Sequence, residues 1–574
     1  MKNLILLAGL ILFSSVGLSK NALVFQQKNN KDLEKKIDSL MQHYSDKSPG
    51  AVVGVTKKGK LIFSKAYGLA NLNYDIKLNS NSRINIGSIS KQFTAFGIGL
   101  LKAKGKLSYD DDIRKYLPII KKFEHTITIR HLLTHTSGLR EFLNTLELGG
   151  RQLTRGDYAH RKEVLRIVNN QPKLQSVPGA VWLYNNTGYL LLTMIIESIT
   201  KQPFQQYMNN EVFKPLGMND TQFRTDNSQV IKNRAIGYYQ DRNGTYHESA
   251  DYSGAMGAGG LYSTAEDFAK WMDNFRKGKL GGKELIKEMT TMYVLSNGKD
   301  SGYGLGMYLI DHNGLKRFMH GGADISHRSL MSYYPSGEIG IFVFSNTTAH
   351  FQRYSDMIAE IVLKDEMDKA KMKLNASNAA GKNNLKNTKP FDFNALSGRF
   401  KFVTSSSDFV TFSKEGGELF VKFSGGNKRK IELINNSTLN MVGTANNFVL
   451  SSTAEDQKIQ KISFHMKKGI AYLERTEVKP WNPSVSDLRD YVGKYYSEEL
   501  DVFYEVQLEN NKLLVYQSRL GDIFLNPVSK HFFSGYYPVI EVRFNTNQQG
   551  FVKEMIVDSG RTLGVVFTKT EQKW

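Results

Sequence analysis

Strand-like apolar runs lie at both ends of the first 365 residues, with helical patterns between them. Ala51 to Thr56 and Lys60 to Ala66 read as a hairpin turning across Lys57-Lys58-Gly59. Far along the chain, Lys316 to His320, Ser329 to Tyr334 and Ile339 to Phe344 read as three more strands. A helical pattern precedes the hairpin at Lys31 to His43, and another follows the last strand at Ser355 to Leu363. Strands from both ends of a stretch with helices between them predict an α/β (α+β) domain, an antiparallel sheet packed between helical layers.

From about Lys364 to Pro390 the chain turns polar, rich in Lys, Asn and Ala, and reads as a linker that is partly helical at its start. Beyond it come short alternating strands with an internal duplication. Leu396-Ser397-Gly398-Arg399-Phe400 recurs as Tyr491-Val492-Gly493-Lys494-Tyr495, an offset of 95 residues, and Glu418-Leu419-Phe420-Val421 recurs as Lys512-Leu513-Leu514-Val515. Counting about four strands per copy, the two copies together predict one closed, eight-stranded, all-β barrel. The expected divisions are a leader over 1–19, a first domain over 31–365, a linker over 366–390 and a barrel domain over 391–574.

The chemistry begins at Gly87-Ser88-Ile89-Ser90-Lys91. A serine and a lysine three residues apart on a helix share one face, so the amine reaches the hydroxyl. The run Phe93 to Lys104 is apolar enough for a buried helix stopped by Gly105, which places Ser88 in its first turn. Burial lowers a lysine pKa toward the neutral form that a general base needs. Ser296-Asn297-Gly298-Lys299 has the same spacing but reads as a polar turn. Next in order come Tyr184-Asn185-Asn186, a phenol able to share a proton with Lys91 and an amide able to hold Lys91 or a substrate carbonyl. Tyr207-Met208-Asn209 repeats that pattern within an ordinary amphipathic helix, Phe204 to Phe213. Then follow His320-Gly321-Gly322-Ala323 in strand-rich sequence, where two glycines let a substrate backbone approach an edge strand.

With these three elements in sequence, residues 31 to 365 resemble the class C β-lactamase and penicillin-binding-protein family of serine hydrolases, including its D-aminopeptidase and esterase branches. Thr126 to Leu139, Phe213 to Met218 and Gly259 to Asp267 are also similar to family segments. The resemblance implies Ser88 as the acylated nucleophile, Lys91 and Tyr184 as the proton-shuttling pair, and Asn186 as a substrate-orienting group. It implies an oxyanion hole from the N–H groups of Ser88 and Ala323, with His320 and Gly322 lining the substrate site. His320 stands where β-lactamases carry the lysine of Lys-Thr-Gly; a neutral imidazole holds a carboxylate less firmly, which argues against efficient β-lactamase action. Asp324-Ile325-Ser326-His327-Arg328 departs from the Pro-Gly-Phe common after that motif. The C-terminal region resembles lipocalin-like tail domains, which implies a restrictive or scaffolding role.

The remaining signals are chemically bland. His131 and His135 have zinc-ligand spacing, but Leu132 replaces the glutamate that such a site needs, so no metal is expected, and no cofactor. Ser263-Thr264-Ala265-Glu266 reads as a helix capping box. Lys2 followed by Leu4 to Phe13 reads as a secretory leader, giving a secreted or periplasmic protein with no transmembrane segment in the mature chain. The chain has no cysteine, which excludes disulfides and thiol chemistry. A net charge of +21 favours anionic cell-envelope polymers as partners, and no motif supports nucleic acid. The expected function is acyl-enzyme hydrolysis of a small peptide or ester, with peptides containing D-amino acids foremost. The alternative is a catalytically retired sensor of cell-wall fragments.

Overall fold

The computed structural model describes residues 31–249, 254–348, 351–370, 372, 393–402, 409–423, 427–435, 437–444, 446–450, 458–466, 469–477 and 481–570. The leader and most of the linker lie outside these residues; 364–370, at the linker's start, is helical. Two compact units divide at Ala376/Ser377, except that Asn144–Arg151 belongs to the second. Among the described residues, no helix is long and apolar enough to cross a membrane.

The first unit is built on a six-stranded sheet: β1 Ala51–Lys57, β2 Lys60–Tyr67, β3 Tyr308–His312, β4 Leu315–Ala323, β5 Arg328–Tyr334 and β6 Ile339–Ser345, in the order β3-β4-β5-β6-β1-β2. Every neighbouring pair is antiparallel. Strand β6 is buried along its whole length, and its period-two alternation feeds two cores. Ile339, Ile341 and Val343 pack with Ile37, Met41, Ile358 and Leu363 from the terminal helices. Phe342 and Phe344 point the other way, onto Phe268 of the helical portion, at ring separations of 5.2 and 4.9 Å. Each such side chain, fully buried, contributes about 1.5–3 kcal/mol, so a sheet covered on both faces fixes its own register.

Within the helical portion, Gly87–Ile89 forms a 3₁₀ turn that runs directly into the α-helix Ser90–Ala103. Ser88 therefore stands one short turn ahead of that helix, not within its first α-turn. Residues Ser90 to Leu101 are buried without a break, so this is a central helix surrounded by others. Phe204 to Phe213 is helical as expected, with a π-turn over Asn209–Phe213. The expected capping box is shifted by one residue: Thr264 caps Ala265–Lys277 and accepts from the Asp267 N–H.

The second unit contains the expected closed eight-stranded barrel but corrects the count of strands per copy. Gly398–Arg475 alone closes an eight-stranded barrel, whose last strand pairs back with its first. Phe400, Phe412, Phe448 and Phe464 belong to its core, with Phe448 and Phe464 stacked at 4.4 Å. The second copy forms a separate nine-stranded sheet with its own core. Its two edge strands, Gly521–Phe524 and Asn526–Ser529, are separated only by Leu525. The edges are thus joined through one residue, and the sheet curls back on itself as a second up-and-down meander. Tyr504 donates from its hydroxyl to the Leu148 carbonyl at 2.6 Å, and Leu148 joins this core. One barrel from two half-copies is therefore replaced by one full meander per copy.

The glycine and aromatic ring shared by the two copies have a common physical basis. Gly398 and Gly493 have φ of 132° and 146°, and a Cβ on either would collide with a side chain from the repeat's last strand. That side chain is Arg475 in the first copy and Lys569 in the second, lying 4.7 Å above the Phe400 ring and 5.8 Å above the Tyr495 ring. Arg475 also donates to the carbonyls of Ala395, Ser397 and Ile459, and Lys569 donates to that of Asp490. Replacing Arg475 with Met should cost about 1.5–3 kcal/mol through those lost charged hydrogen bonds. Lys569→Met should cost less, and urea unfolding followed by near-UV dichroism would rank the two; equal midpoints would contradict the larger share assigned to Arg475.

Candidate active site

Lys91 is fully buried, and its amine lies 3.2 Å from Ser88 Oγ, 2.8 Å from Asn186 Oδ1 and 2.7 Å from the Ala258 carbonyl. Carbonyl oxygens only accept, so Asn186 and Ala258 each take an N–H from the amine. Toward Ser88 Oγ the amine can present either an N–H or, when neutral, its lone pair. That arrangement lets Lys91 receive the Ser88 proton without moving. Ser88 itself is half-buried, in the middle of its turn.

The expected site residues converge. Asn186 opens the helix Asn186–Thr200, and the preceding Asn185 caps it by accepting from the Gly188 N–H. The Tyr184 ring sits 4.7 Å from the Lys91 amine and the Tyr189 ring 5.5 Å from it. Two nearby phenols have settled partners: Tyr189 donates to the Leu133 carbonyl at 2.7 Å, and Tyr303 meets His320 Nε2 at 3.0 Å. Burial, above all, raises both well above the ordinary tyrosine pKa. Tyr184 is half-buried, the more accessible phenol beside the amine.

His320 lies within β4 and is buried. Its Nδ1–H donates to the Gly321 carbonyl, and Nε2 accepts from Tyr303. Burial first, and the Lys91 charge second, lower its pKa to about 3, so the ring is neutral. Gly322 differs from expectation in its physical reason. A Cβ there would fall 2.0 Å from the Ile86 carbonyl oxygen, so the space is filled by the protein's own nucleophile turn. Gly87, with φ of 52°, is also tight: a Cβ would lie 2.6 Å from Ala323 N. The turn carrying Ser88 therefore rests directly on the strand end carrying Ala323, which brings the two expected oxyanion donors onto abutting segments.

Glu141 and Ala258 were not anticipated. Glu141 is fully buried and accepts from Asn186 Nδ2 at 2.7 Å, which turns the amide oxygen toward Lys91. It lies two residues past the Thr126–Leu139 segment, and a backbone carbonyl such as that of Ala258 leaves no trace in sequence. The histidines at zinc spacing are occupied by protein donors: His131 Nδ1 accepts from the Thr128 N–H and His135 Nδ1 from the Asn185 N–H.

Two outcomes follow from this geometry. Glu141→Leu should free Asn186 to turn its N–H₂ toward Lys91 and slow phosphonylation of Ser88 by about tenfold or more, whereas Glu141→Gln keeps an acceptor and most of the rate. Separately, the unfolded chain protonates His320 near its ordinary 6.5 while the native ring stays neutral down to about pH 3. The unfolded state thus binds the extra proton in that window, and this contribution to stability is lost as pH falls from 6.5 toward 3. His320→Asn should flatten the acid side of a urea-midpoint profile; an unchanged slope would count against the assignment.

Residues 33–364 match the family described as Beta-lactamase. The chain is 30% identical over 294 residues to the putative penicillin-binding protein PbpX of Bacillus subtilis (strain 168), covering 51% of this chain and 69% of that protein. It is 32% identical over 213 residues to protein flp of Staphylococcus aureus (strain MRSA252), covering 36% of this chain but only 41% of that protein. The octameric penicillin-binding protein homologue from Pyrococcus abyssi shares the fold, with a TM-score of 0.54 at 22% identity over 77% of this chain and 99% of that one. The family match spans more than half of the chain and contains the serine, lysine, tyrosine and asparagine gathered around one buried amine, so this chain belongs to the β-lactamase family.

Proposed function

We propose that the chain is an exported serine hydrolase that cleaves amide or ester bonds through an acyl-enzyme. The observation that carries this reading is the buried Lys91 amine, within 3.2 Å of Ser88 Oγ and donating to two groups that can only accept, Asn186 Oδ1 and the Ala258 carbonyl. In the proposed cycle Lys91, relayed by Tyr184, takes the Ser88 proton as Oγ attacks the carbonyl carbon. The developing oxyanion is stabilised by the N–H groups of Ser88 and Ala323. Collapse expels the amine or alcohol, protonated through Tyr184, and water then releases the acyl group by the same route in reverse.

The state of His320 supports a substrate preference. A neutral ring with both nitrogens engaged offers no cation for a free carboxylate next to the scissile bond. Small esters and amides of D-amino-acid peptides fit this better than β-lactams, which are expected as slow substrates or inhibitors. Export rests on the leader pattern, and attraction to anionic envelope polymers on the net charge of +21.

A fluorophosphonate probe should label the full-length protein at Ser88 and leave Ser88→Ala unlabelled. Across D-peptide amides, p-nitrophenyl esters and nitrocefin, turnover should be lowest on nitrocefin. A wild-type protein that takes no label would favour the retired sensor instead.

A further inference from the structure

The segment that departs from the family pattern, Asp324 to Arg328, is a turn folded around one carboxylate. It joins β4 to β5, and Ala323, an expected oxyanion donor, immediately precedes it. Asp324 Oδ1 accepts from the N–H groups of Ser326 and His327. Its Oδ2 accepts from Asn85 Nδ2 at 2.7 Å and meets His327 Nδ1 at 2.9 Å. The side chains of His327 and Asp324 are only 5% and 6% exposed, and Asn85 is buried. Arg328 clamps the turn from outside by donating to the carbonyls of Asp324 and His327.

Asn85 carries this network to the nucleophile. Its Oδ1 accepts from the Gly87 N–H at 3.0 Å, and Gly87 is bonded to Ser88. Beside it, Ser329 of β5 donates to the Ile86 carbonyl at 2.7 Å. One chain of hydrogen bonds thus runs from Gly87 through Asn85 to Asp324. Its two ends are each one peptide from an expected oxyanion donor, Ser88 N–H at one and Ala323 N–H at the other.

We propose that Asp324 is a positioning residue that, through Asn85, sets the spacing between the two oxyanion-hole N–H groups. This rests on the acyl-enzyme reading above and extends it to a residue pair outside the family motifs. Burial works against the Asp324 charge, but His327 and the surrounding N–H groups outweigh it and hold the carboxyl below the usual carboxylate range. The network's polarity is fully determined. Gly87 N–H must donate, so Asn85 presents oxygen to it and N–H₂ to Asp324. An amide at 324 would set donor against donor at Asn85, and turning either amide over only moves the clash to Gly87 or to the Ser326 and His327 N–H groups. A carboxylate at 85 would face the Asp324 carboxylate. The exchanged pair restores every donor to an acceptor, since an amide at 324 can donate both to a carboxylate at 85 and to His327 Nδ1.

The test uses full-length Asp324→Asn, Asn85→Asp and the double exchange, with p-nitrophenyl acetate turnover, fluorophosphonate labelling and thermal melting. An oxyanion donor matters most in the transition state, so each single variant should lose about tenfold or more in kcat with KM within about threefold of wild type. The double variant should recover most of that loss. Singles within twofold of wild type overturn the proposal, as does a folded double variant no better than the worse single. If Asp324→Asn does not fold, the double must still fold by the same polarity argument, and a double that also fails to fold overturns it. Wild-type protein that takes no label at Ser88 overturns the acyl-enzyme reading and this proposal together, whereas normal labelling of wild type with unaffected variants overturns this proposal alone.

Discussion

A lysine amine removed from water must find its partners within the protein, and much of the first unit is arranged to supply them. The helix that carries Lys91 is covered on every side, which keeps solvent from the amine. The acceptors arrive from elsewhere in the chain: the first residue of the helix Asn186–Thr200, and a carbonyl just ahead of the strand Leu261–Ser263. Glu141 then fixes which atom of Asn186 is offered. An unpaired buried amine would be costly, so each of these elements is constrained by the same group. The rings of Tyr184 and Tyr189 complete the enclosure, at 4.7 and 5.5 Å from the amine.

What could be read from the sequence was what is local or periodic. Strands β1, β2, β5 and β6 declare themselves through apolar runs, and Ser88 and Lys91 through a spacing that one helical turn imposes. Strand β3 was missed because an edge strand half open to solvent, with Asp311 and His312 in it, has no such run. Glu141 and Asn85 were missed for a different reason. Each acts on a residue far along the chain, 45 positions away for Glu141 and 239 for Asn85, and spacing carries no information about such pairs. Gly322 shows a subtler limit: the glycine was evident, but whether its missing side chain makes room for a substrate or for Ile86 is settled only by the fold.

The repeats were found by their anchors and miscounted between them. Strands such as Thr438–Met441 and Asn447–Leu450 are four residues long, too short for alternation to stand out. The glycine and the aromatic ring of each anchor were visible because a close approach allows few substitutes, whereas Arg475 and Lys569, which lie over those rings, are far along the chain and were not anticipated. The same three groups recur at the start and finish of both copies, although one copy closes its ladder and the other bends a strand at Leu525.

In each copy the cation from the final strand lies over the ring of the opening strand, so the polypeptide enters and leaves the module at one point. A unit with adjoining ends can be copied in tandem, or spliced into another gene, without rerouting the chain around it. Duplicating such a module would require little more than a short connector between finished units, each then able to drift in its closure.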